Sequence, residues 1–312
     1  WEVKADTMLP YAGGDTDAVM RVYNVLEELV AADPKLWNHY CNVSIPGLNA
    51  FVGMETTGMY VDEGDKLEEF QEYMTTEVAR QKAELLRQVP KEIKRDHIAL
   101  PNMKGKPVEE VLSFSRSAFL RDILFTHPKG FKLKPVVFTE TTERLPDHLK
   151  EPSTSSKKHL PFFFDKCDFT VLLAEHVKDS RLLGTNIIGF RQKFVVDGKV
   201  RPTYGLAKTD TRRSNSADPN GQNFPKRGAK AKRYQQIFRA PDGRYVISRD
   251  LSQAEIRIAG EMARDPVITR IYQEDGDIHV STACIVLGVT EAKFRELPKA
   301  EQKDACLLYT SP

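Results

Sequence analysis

The sequence has little cysteine, no long apolar run and almost no net charge, and each shortage bears on a class of protein. The four cysteines are scattered and form no C-x-x-C pair, which argues against a zinc site and favours a reducing compartment. No segment approaches the roughly 20 apolar residues of a membrane span, so we expect no membrane partner. The 46 basic and 44 acidic residues nearly balance, but a nucleic-acid groove needs only local positive charge.

The length and the first residue bear on how the chain is organised. With 312 residues and no internal repeat, the chain can bury more than one core, which predicts two or three domains. It lacks a signal peptide and an initiator methionine and begins with Trp1. We therefore expect a fragment or a processed product.

Apolar periodicity predicts most of the regular structure in the first three quarters of the chain. Helical spacing appears at 14–32, 64–89, 113–125 and 165–183. A hairpin is predicted at 190–204, where the turn pair Asp197-Gly198 separates valine-rich runs. The other segments are predicted to be irregular or extended: a turn-rich crossing at 42–53, an extended run at 135–138, a loop at 140–161 and a polar stretch at 209–233.

The segment around Asp250 has the pattern of a strand that delivers a carboxylate to a cleft. Tyr245–Ser248 predicts a buried strand ending at Asp250, and a helix is predicted over 253–264. Asp265 and Asp277 are placed to cap two further helices. A carboxylate on a rigid element suits a metal site, although an aspartate in this position can also serve only as a helix cap.

The polar stretch at 211–227 combines amide side chains with cations. Arg212, Arg213, Lys226 and Arg227 lie in it, and Lys230, Lys232 and Arg233 follow. Such cations can neutralise phosphates, and asparagine or glutamine can bond the minor-groove acceptors that all base pairs share. A solvated loop is the simpler alternative.

These two segments together resemble motifs of family A DNA polymerases, the bacterial DNA polymerase I group. Residues 250–257 resemble D-Y-S-Q-x-E-L-R, with Leu251 in place of tyrosine. The resemblance implies that Asp250 is the catalytic carboxylate that binds both Mg²⁺ ions, helped by the backbone carbonyl of Leu251. It also implies that Gln253 lies near the nascent base pair and that Glu255 excludes a 2′-hydroxyl.

The upstream segment matches the same family without a gap. Its pattern is T-G-R-x-S-S-x-x-P-N-x-Q-N-x-P-x-R, and Arg212 replaces the glycine. The resemblance implies that Arg213 contacts the minor groove at the primer terminus and that other side chains contact the primer–template. Those implied DNA-binding residues are Asn220, Gln222, Asn223 and Arg227.

Shorter segments extend the resemblance towards both ends. Asp277-Ile278-His279 is similar to the D-I-H that opens a fingers helix, which implies that His279 binds the triphosphate; a surface histidine beside a capping aspartate is the alternative. Lys157-Lys158-His159 resembles a thumb-to-palm segment, or is a solvated basic loop. Tyr11 and Asp15 resemble the third motif of DnaQ-like 3′–5′ exonucleases. Finally, M-E-x-x-G-x-x-x-D from Met54 to Asp62 resembles the entry to the thumb.

The resemblance implies an α+β right-hand polymerase fold after an exonuclease tail. Its implied parts are an exonuclease remnant at 1–45, a helical thumb at 46–165, a palm with an antiparallel sheet at 166–264 and the start of the fingers at 265–312. The implied partners are primer–template DNA, deoxynucleoside triphosphates and two Mg²⁺ ions. We expect a monomer in the cytoplasm of a bacterium or of a phage-infected host.

The family's remaining catalytic parts are missing from the sequence. Neither the H-D-E motif with the second carboxylate nor the R-x-x-x-K of the fingers is present, and Cys306 stands where that lysine is expected. We expect 306–312 to be non-native and the chain as written to bind DNA without extending it. Two alternatives stay open: a DNA-binding module without chemistry, and a single-subunit RNA polymerase, against which Glu255 argues.

Overall fold

The computed structural model describes residues 4–206, 208–211, 213–299, 301–302 and 305. The described chain divides into two units, the first ending at Tyr245 and the second beginning at Val246. Helices dominate both units and small antiparallel sheets lie in the first, so the described chain is α+β as predicted. Among these helices, none combines the length and the apolar character that crossing a membrane requires.

The elements are numbered in chain order. The helices of the first unit are α1 (Ala5–Ala31), α2 (Pro34–His39), α3 (Ile45–Thr57), α4 (Glu68–Gln88), α5 (Lys91–Ile98), α6 (Val108–Val111), α7 (Ser117–Arg121), α8 (Asp168–Arg181), α9 (Gly189–Phe194) and α10 (Ala229–Gln235). Its strands are β1 (Met59–Val61), β2 (Val195–Val196), β3 (Lys199–Val200), β4 (Thr203–Gly205), β5 (Asn215–Ala217) and β6 (Phe238–Arg239). The second unit holds α11 (Ala254–Ala263), α12 (Pro266–Gln273), α13 (Ile278–Leu287) and α14 (Glu291–Glu296).

The N-terminal segment is more helical than its sequence predicts. The predicted helix at 14–32 is confirmed, but α1 begins at Ala5 and buries none of its side chains. The predicted turn-rich crossing at 42–53 was wrong, since it lies in a wide helical turn at Tyr40–Ser44 and in α3. Pro46 lies in the first turn of α3, where a missing N–H costs no hydrogen bond, and so it does not break the helix.

The helices α4 and α8 pack against each other and organise two cores. Both were predicted from apolar spacing, and the predicted side of α4 is buried at Phe70, Met74 and Leu85. One core lies among α4, α5, α7 and α8, with Phe119 and Phe169 fully buried. The other lies between α4 and the larger sheet. Burying such aromatic side chains contributes about 1.5–3 kcal/mol each, so these two clusters hold the first unit together.

The larger sheet has the antiparallel order β2-β3-β1-β6. The predicted hairpin at 190–204 is confirmed in its turn, because β2 and β3 pair with Val195 opposite Val200. Asp197 and Gly198 have φ values of 52° and 68°, the left-handed pair that a two-residue hairpin requires. The part of the prediction before Val195 was wrong, because Gly189–Phe194 is helical.

The entry motif at Met54–Asp62 joins α3 to the sheet. The Glu55 carboxylate accepts a hydrogen bond from the Tyr204 amide at 2.6 Å. Gly58 has a φ of 67°, and a Cβ there would lie 2.9 Å from the Val200 carbonyl oxygen. The backbone conformation and the close approach to Val200 therefore both require glycine. Asp62 accepts bonds from the amides of Asp65 and Lys66 at the start of the next helical turn. Each of these three motif residues therefore has a local structural role.

The second unit begins with a segment that departs from its prediction. Tyr245–Ser248 forms no strand, and Tyr245, Val246 and Ile247 are 91%, 70% and 88% exposed. Asp250 therefore does not end a central antiparallel strand as predicted. An apolar run specifies strand propensity but not a partner, and no described segment pairs with this one. The predicted domain boundaries stay predictions.

The helical part of the second unit follows its capping signals. The predicted helix at 253–264 is confirmed as α11. Asp265 accepts bonds from the amides of Val267 and Ile268 and caps α12. Asp277 accepts a bond from the His279 amide and caps α13. Both caps were predicted from an aspartate placed directly before a helix.

Candidate nucleic-acid and nucleotide site

The polar stretch around 213–227 is folded back on itself and is not an unstructured loop. Its strand β5 pairs with β4, which places Ser216 opposite Tyr204. Ser216 is buried, and its hydroxyl donates to the Pro219 carbonyl at 3.3 Å and accepts from the Gly221 amide at 3.2 Å. These two hydrogen bonds close the loop, and the residues that follow lie at the surface. Arg212 lies outside the described residues.

The amide side chains of this stretch lie at the surface, and two of them also shape the loop. The Asn220 oxygen accepts from the Gln222 amide at 3.1 Å. The Gln222 side-chain nitrogen donates to the Ser214 carbonyl at 3.1 Å. Asn220, Gln222 and Asn223 are all exposed. They can therefore present amide groups to a ligand while they fix the loop that carries them.

A groove of about 1230 Å³ lies in the first unit beside this loop. Asn220 and Asn223 line one side of it, and Lys178 and Arg181 of α8 line another. Lys157 also lines it. Cations and amides around one groove are suited to a polyanion with a polar edge, which is the chemistry of a nucleic-acid backbone and its minor groove.

Two of the cations expected to contact phosphates are instead held by the protein. Lys230 Nζ donates to Glu175 at 3.1 Å and to Asp179. The Arg233 guanidinium donates to Glu69 at 2.9 Å and lies 4.2 Å from the centre of the Tyr73 ring. These two cations therefore have structural partners inside the protein. Charge counting along a sequence cannot tell which cations have internal partners.

The remaining cations of this stretch are available at the surface. Lys226, Arg227 and Lys232 are exposed, and none forms an ion pair with another part of the described chain. Arg213 is also exposed and has partners within the protein. These exposed cations are therefore the ones that can contact phosphates.

Three carboxylates gather near Lys230 but do not make a metal site. Oxygens of Glu77, Glu175 and Asp179 lie within 4.8 Å of one another. Lys230 donates to two of them, so its ammonium already supplies the positive charge. The Gln81 side chain donates to Asp179 at 2.8 Å. Hydrogen bonding from Arg80 lowers the pKa of Glu77 to about 2, so this carboxylate is ionised at neutral pH.

His159 has a structural role that the sequence did not reveal. It is fully buried, and its Nε2 accepts hydrogen bonds from the amides of Val136 and Val137 at 3.0 and 3.2 Å. Its Nδ1 therefore carries the proton and donates to the Ser153 carbonyl at 2.6 Å. Phe125 stacks on the ring at 5.3 Å. The histidine thus joins the extended run at 135–138 to the loop that follows it, instead of being solvated.

The carboxylates of the second unit differ in their surroundings. Asp250 is exposed and has no hydrogen bond or ion pair with the rest of the described chain, and Leu251 is 78% exposed. Glu255 lies in the first turn of α11 and has partners within the protein. An unpaired carboxylate beside a backbone carbonyl offers the oxygen donors that Mg²⁺ prefers. The donor set therefore fits part of a magnesium site.

Gln253 and His279 are linked in this unit. Gln253 Nε2 donates to Asp277 Oδ1 at 2.9 Å, and the same oxygen accepts from the His279 amide at 2.7 Å. The Tyr272 hydroxyl donates to Gln253 Oε1 at 2.7 Å. Tyr272 was not among the predicted site residues, because a tyrosine in an amphipathic helix is usually a packing residue.

Partial burial of the Asp277 carboxylate raises its pKa. The Gln253 side chain and the His279 and Val280 amides donate hydrogen bonds that more than offset this effect. The net pKa of Asp277 therefore lies below its ordinary value. The negative charge of the Asp277 carboxylate is stabilised by the positive end of the α13 dipole.

The predicted site residues are divided between the two units. Arg213, Asn220, Gln222, Asn223 and Arg227 lie in the first, and Asp250, Leu251, Gln253, Glu255 and His279 lie in the second. That Arg213, Asp250, Glu255 and His279 line one groove stays a prediction. Tyr11 and Asp15 lie four residues apart on exposed α1, so they share a face of that helix. Their exonuclease role also stays a prediction.

Comparison with known proteins identifies relatives that are DNA polymerase I enzymes. The chain is 27% identical over 281 residues to DNA polymerase I of Pseudomonas aeruginosa, covering 90% of this chain and 27% of that protein. It is 35% identical over 92 residues to the thermostable DNA polymerase I of Thermus aquaticus, covering 30% of this chain and 11% of that protein. The chain thus spans about a quarter of the Pseudomonas relative, the longer of these two matches.

The fold has a match among solved structures. That structure is the POL domain of Pol1 from M. smegmatis in complex with DNA primer-template and dNTP, with a TM-score of 0.67 and 20% identity. The match covers 94% of this chain and 46% of that one, and it shows a shared fold. The profile of DNA polymerase family A matches residues 83–307. Because this match covers most of the chain, the chain belongs to DNA polymerase family A.

Proposed function

We propose that this chain is part of a DNA-directed DNA polymerase that adds deoxynucleotides to a primer 3′ end by two-metal phosphoryl transfer, in replication or repair. One observation carries the proposal: a polar, cation-bearing loop at 213–227 precedes an exposed, unpaired Asp250 in a chain of this family. The loop has the chemistry to hold DNA, and the carboxylate has the chemistry to hold a metal ion.

In this proposal the first unit holds the primer–template. Arg227, Lys226 and Lys232 contact phosphates, since their charges have no internal partner in the described chain. Asn220, Gln222, Asn223 and Arg213 face the minor groove, whose acceptors are nearly the same for every base pair. Such contacts bind DNA without selecting its sequence, which a template-copying enzyme requires.

The second unit then supplies part of the nucleotide site. Asp250 and the Leu251 carbonyl would hold divalent metal, with Mg²⁺ as the ion that oxygen ligands favour. Bound metal would stabilise the charge that develops on the transferred phosphoryl group. His279, at the start of α13, binds the triphosphate. Glu255 excludes a ribose 2′-hydroxyl.

The chain as written is proposed to bind primer–template without extending it. Two metal ions about 3.5–4 Å apart need more than one carboxylate, and no H-D-E motif occurs in the sequence. For this chain by itself, the proposal therefore predicts the same behaviour as the alternative of a DNA-binding module, namely binding of DNA without extension. We further propose that the protein is a cytoplasmic monomer and that Tyr11 and Asp15 are inactive remnants of an exonuclease.

Primer extension by the complete polymerase that contains this segment tests the proposal. We expect extension with deoxynucleotides and Mg²⁺, and none with ribonucleotides. Efficient ribonucleotide addition would indicate an RNA polymerase and overturn the role of Glu255. Tight DNA binding without any extension would instead indicate a binding module.

The salt dependence of DNA binding should distinguish Arg227, which has no ion-pair partner in the described chain, from Arg233, which is paired with Glu69. Arg227→Ala should make the slope of log K against log salt shallower by about 1, because one phosphate contact is lost. Arg233→Ala should leave that slope unchanged, since its guanidinium is bonded to Glu69 at 2.9 Å. Fluorescence anisotropy of labelled primer–template at several salt concentrations measures both. Equal changes in the two variants would contradict the assignment.

A further inference from the structure

Gln253 has an unusual backbone conformation for its residue type. It precedes α11 with φ 54° and ψ 37°, in the left-handed region. A non-glycine residue there carries a conformational cost of about 1 kcal/mol or more, so other contacts must hold it in place. Both polar atoms of its side-chain amide are engaged, one by Tyr272 and one by Asp277.

These bonds connect three consecutive helices of the second unit. Tyr272 belongs to α12, Gln253 precedes α11, and Asp277 caps α13 two residues before His279. On the other side of the tyrosine, the Arg257 guanidinium lies 4.2 Å from the centre of its ring and donates to the Ser252 carbonyl at 2.9 Å. The Tyr272 side chain is thus held by two residues of the α11 segment, by Gln253 at its hydroxyl and by Arg257 at its ring.

We propose that Gln253 and Tyr272 are positioning residues for the triphosphate site: through Asp277 they fix the start of α13, and therefore His279, relative to the Asp250 segment. Gln253 acts in this way instead of contacting the nascent base pair, because its two bonds hold the amide against Tyr272 and Asp277. This inference rests on the proposed function, in which His279 binds the nucleotide triphosphate.

Binding of dATP with Mg²⁺ to the 312-residue chain, measured by isothermal titration, tests the proposal. Tyr272→Phe removes only a hydroxyl and should weaken dATP binding about fivefold, as expected for one lost hydrogen bond. Gln253→Leu should weaken it at least as much. The double variant should be no weaker than Gln253→Leu alone, because both changes break one network. Affinity for primer–template should not change in any of these variants.

The same variants distinguish positioning from direct contact. If Gln253 instead contacts the nascent base pair, dATP binding in the presence of a primer–template with dT as the next template base should stay equal or improve in Tyr272→Phe, which frees the amide, while Gln253→Leu weakens it. That pattern would overturn the proposal. Tyr23→Phe is the matched control, because the Tyr23 hydroxyl also bonds a side-chain oxygen, that of Glu27 at 2.8 Å, on exposed α1. It should bind dATP like the parent chain.

Amide hydrogen exchange gives a second readout that needs no nucleotide. In Tyr272→Phe, the amides of His279 and Val280 should exchange about fivefold faster, while those of α14 should not change. Unchanged hydrogen exchange at the His279 amide would show that Tyr272 does not fix the start of α13. If the parent chain binds no dATP, the proposed nucleotide site fails in this chain, and the exchange result still decides whether Tyr272 positions α13.

Discussion

Asp179→Ala is expected to lower the free energy of unfolding of the first unit by about 1–3 kcal/mol, because the Gln81 and Lys230 side chains each lose a largely buried hydrogen-bond acceptor. The Asp179 side chain is 2% exposed and that of Lys230 is 24% exposed. Without the carboxylate, the lysine of α10 keeps only Glu175, and the Gln81 side chain of α4 keeps only Glu77 as an acceptor. Urea denaturation at neutral pH, followed by circular dichroism, measures the change.

Glu175→Ala is the matched control for this prediction. Glu175 lies on the same helix and bonds the same lysine, but its side chain is 51% exposed. An exposed pair contributes at most about 1 kcal/mol, so this variant should be nearly as stable as the parent. If Asp179→Ala costs no more than Glu175→Ala, then the ion pair does not anchor α10 in the way described.

Asp250→Ala is expected to lower primer extension by the complete polymerase by at least about 10²–10³-fold, the usual effect of removing one charge-stabilising group. The proposed metal loses its protein carboxylate, whereas the DNA-binding loop is unchanged. The affinity for primer–template should therefore stay the same. Single-turnover extension with saturating deoxynucleotide separates this rate effect from binding.

Asp242→Ala controls for the loss of an exposed carboxylate that is near Asp250 in the sequence. The Asp242 side chain is fully exposed, and its one ion pair, with Arg239 at 3.4 Å, spans three residues. The variant should extend primers at the parent rate. An equal loss in both variants, or full activity in Asp250→Ala, would show that Asp250 is not the catalytic carboxylate.

Helices with strong local signals could be predicted from the sequence. The apolar spacing of α4 and α8, the Asp197-Gly198 turn and the capping aspartates of α12 and α13 each depend on residues close together in the chain. Local sequence therefore determines these elements. The polar stretch at 209–233 was predicted to be irregular, which was wrong for β5 and for the start of α10.

The features that were missed depend on partners far away in the sequence. Lys230 looked like a free cation, but Asp179 lies 51 residues before it in the chain. His159 looked solvated, but it binds amides 23 and 22 residues earlier. Ile247 looked buried, but a strand needs a neighbouring strand, and none of the described residues provides one. Composition and periodicity do not report such long-range pairing.

Titration of the 312-residue chain with labelled primer–template over a range of salt concentrations tests the central claim most directly. With three or four phosphate contacts from residues such as Lys226 and Arg227, the slope of log K against log salt should be about −3. Two duplexes of unrelated sequence should bind equally, and added Mg²⁺ and deoxynucleotides should extend neither. Binding that is absent, insensitive to salt or selective for one sequence would contradict the account.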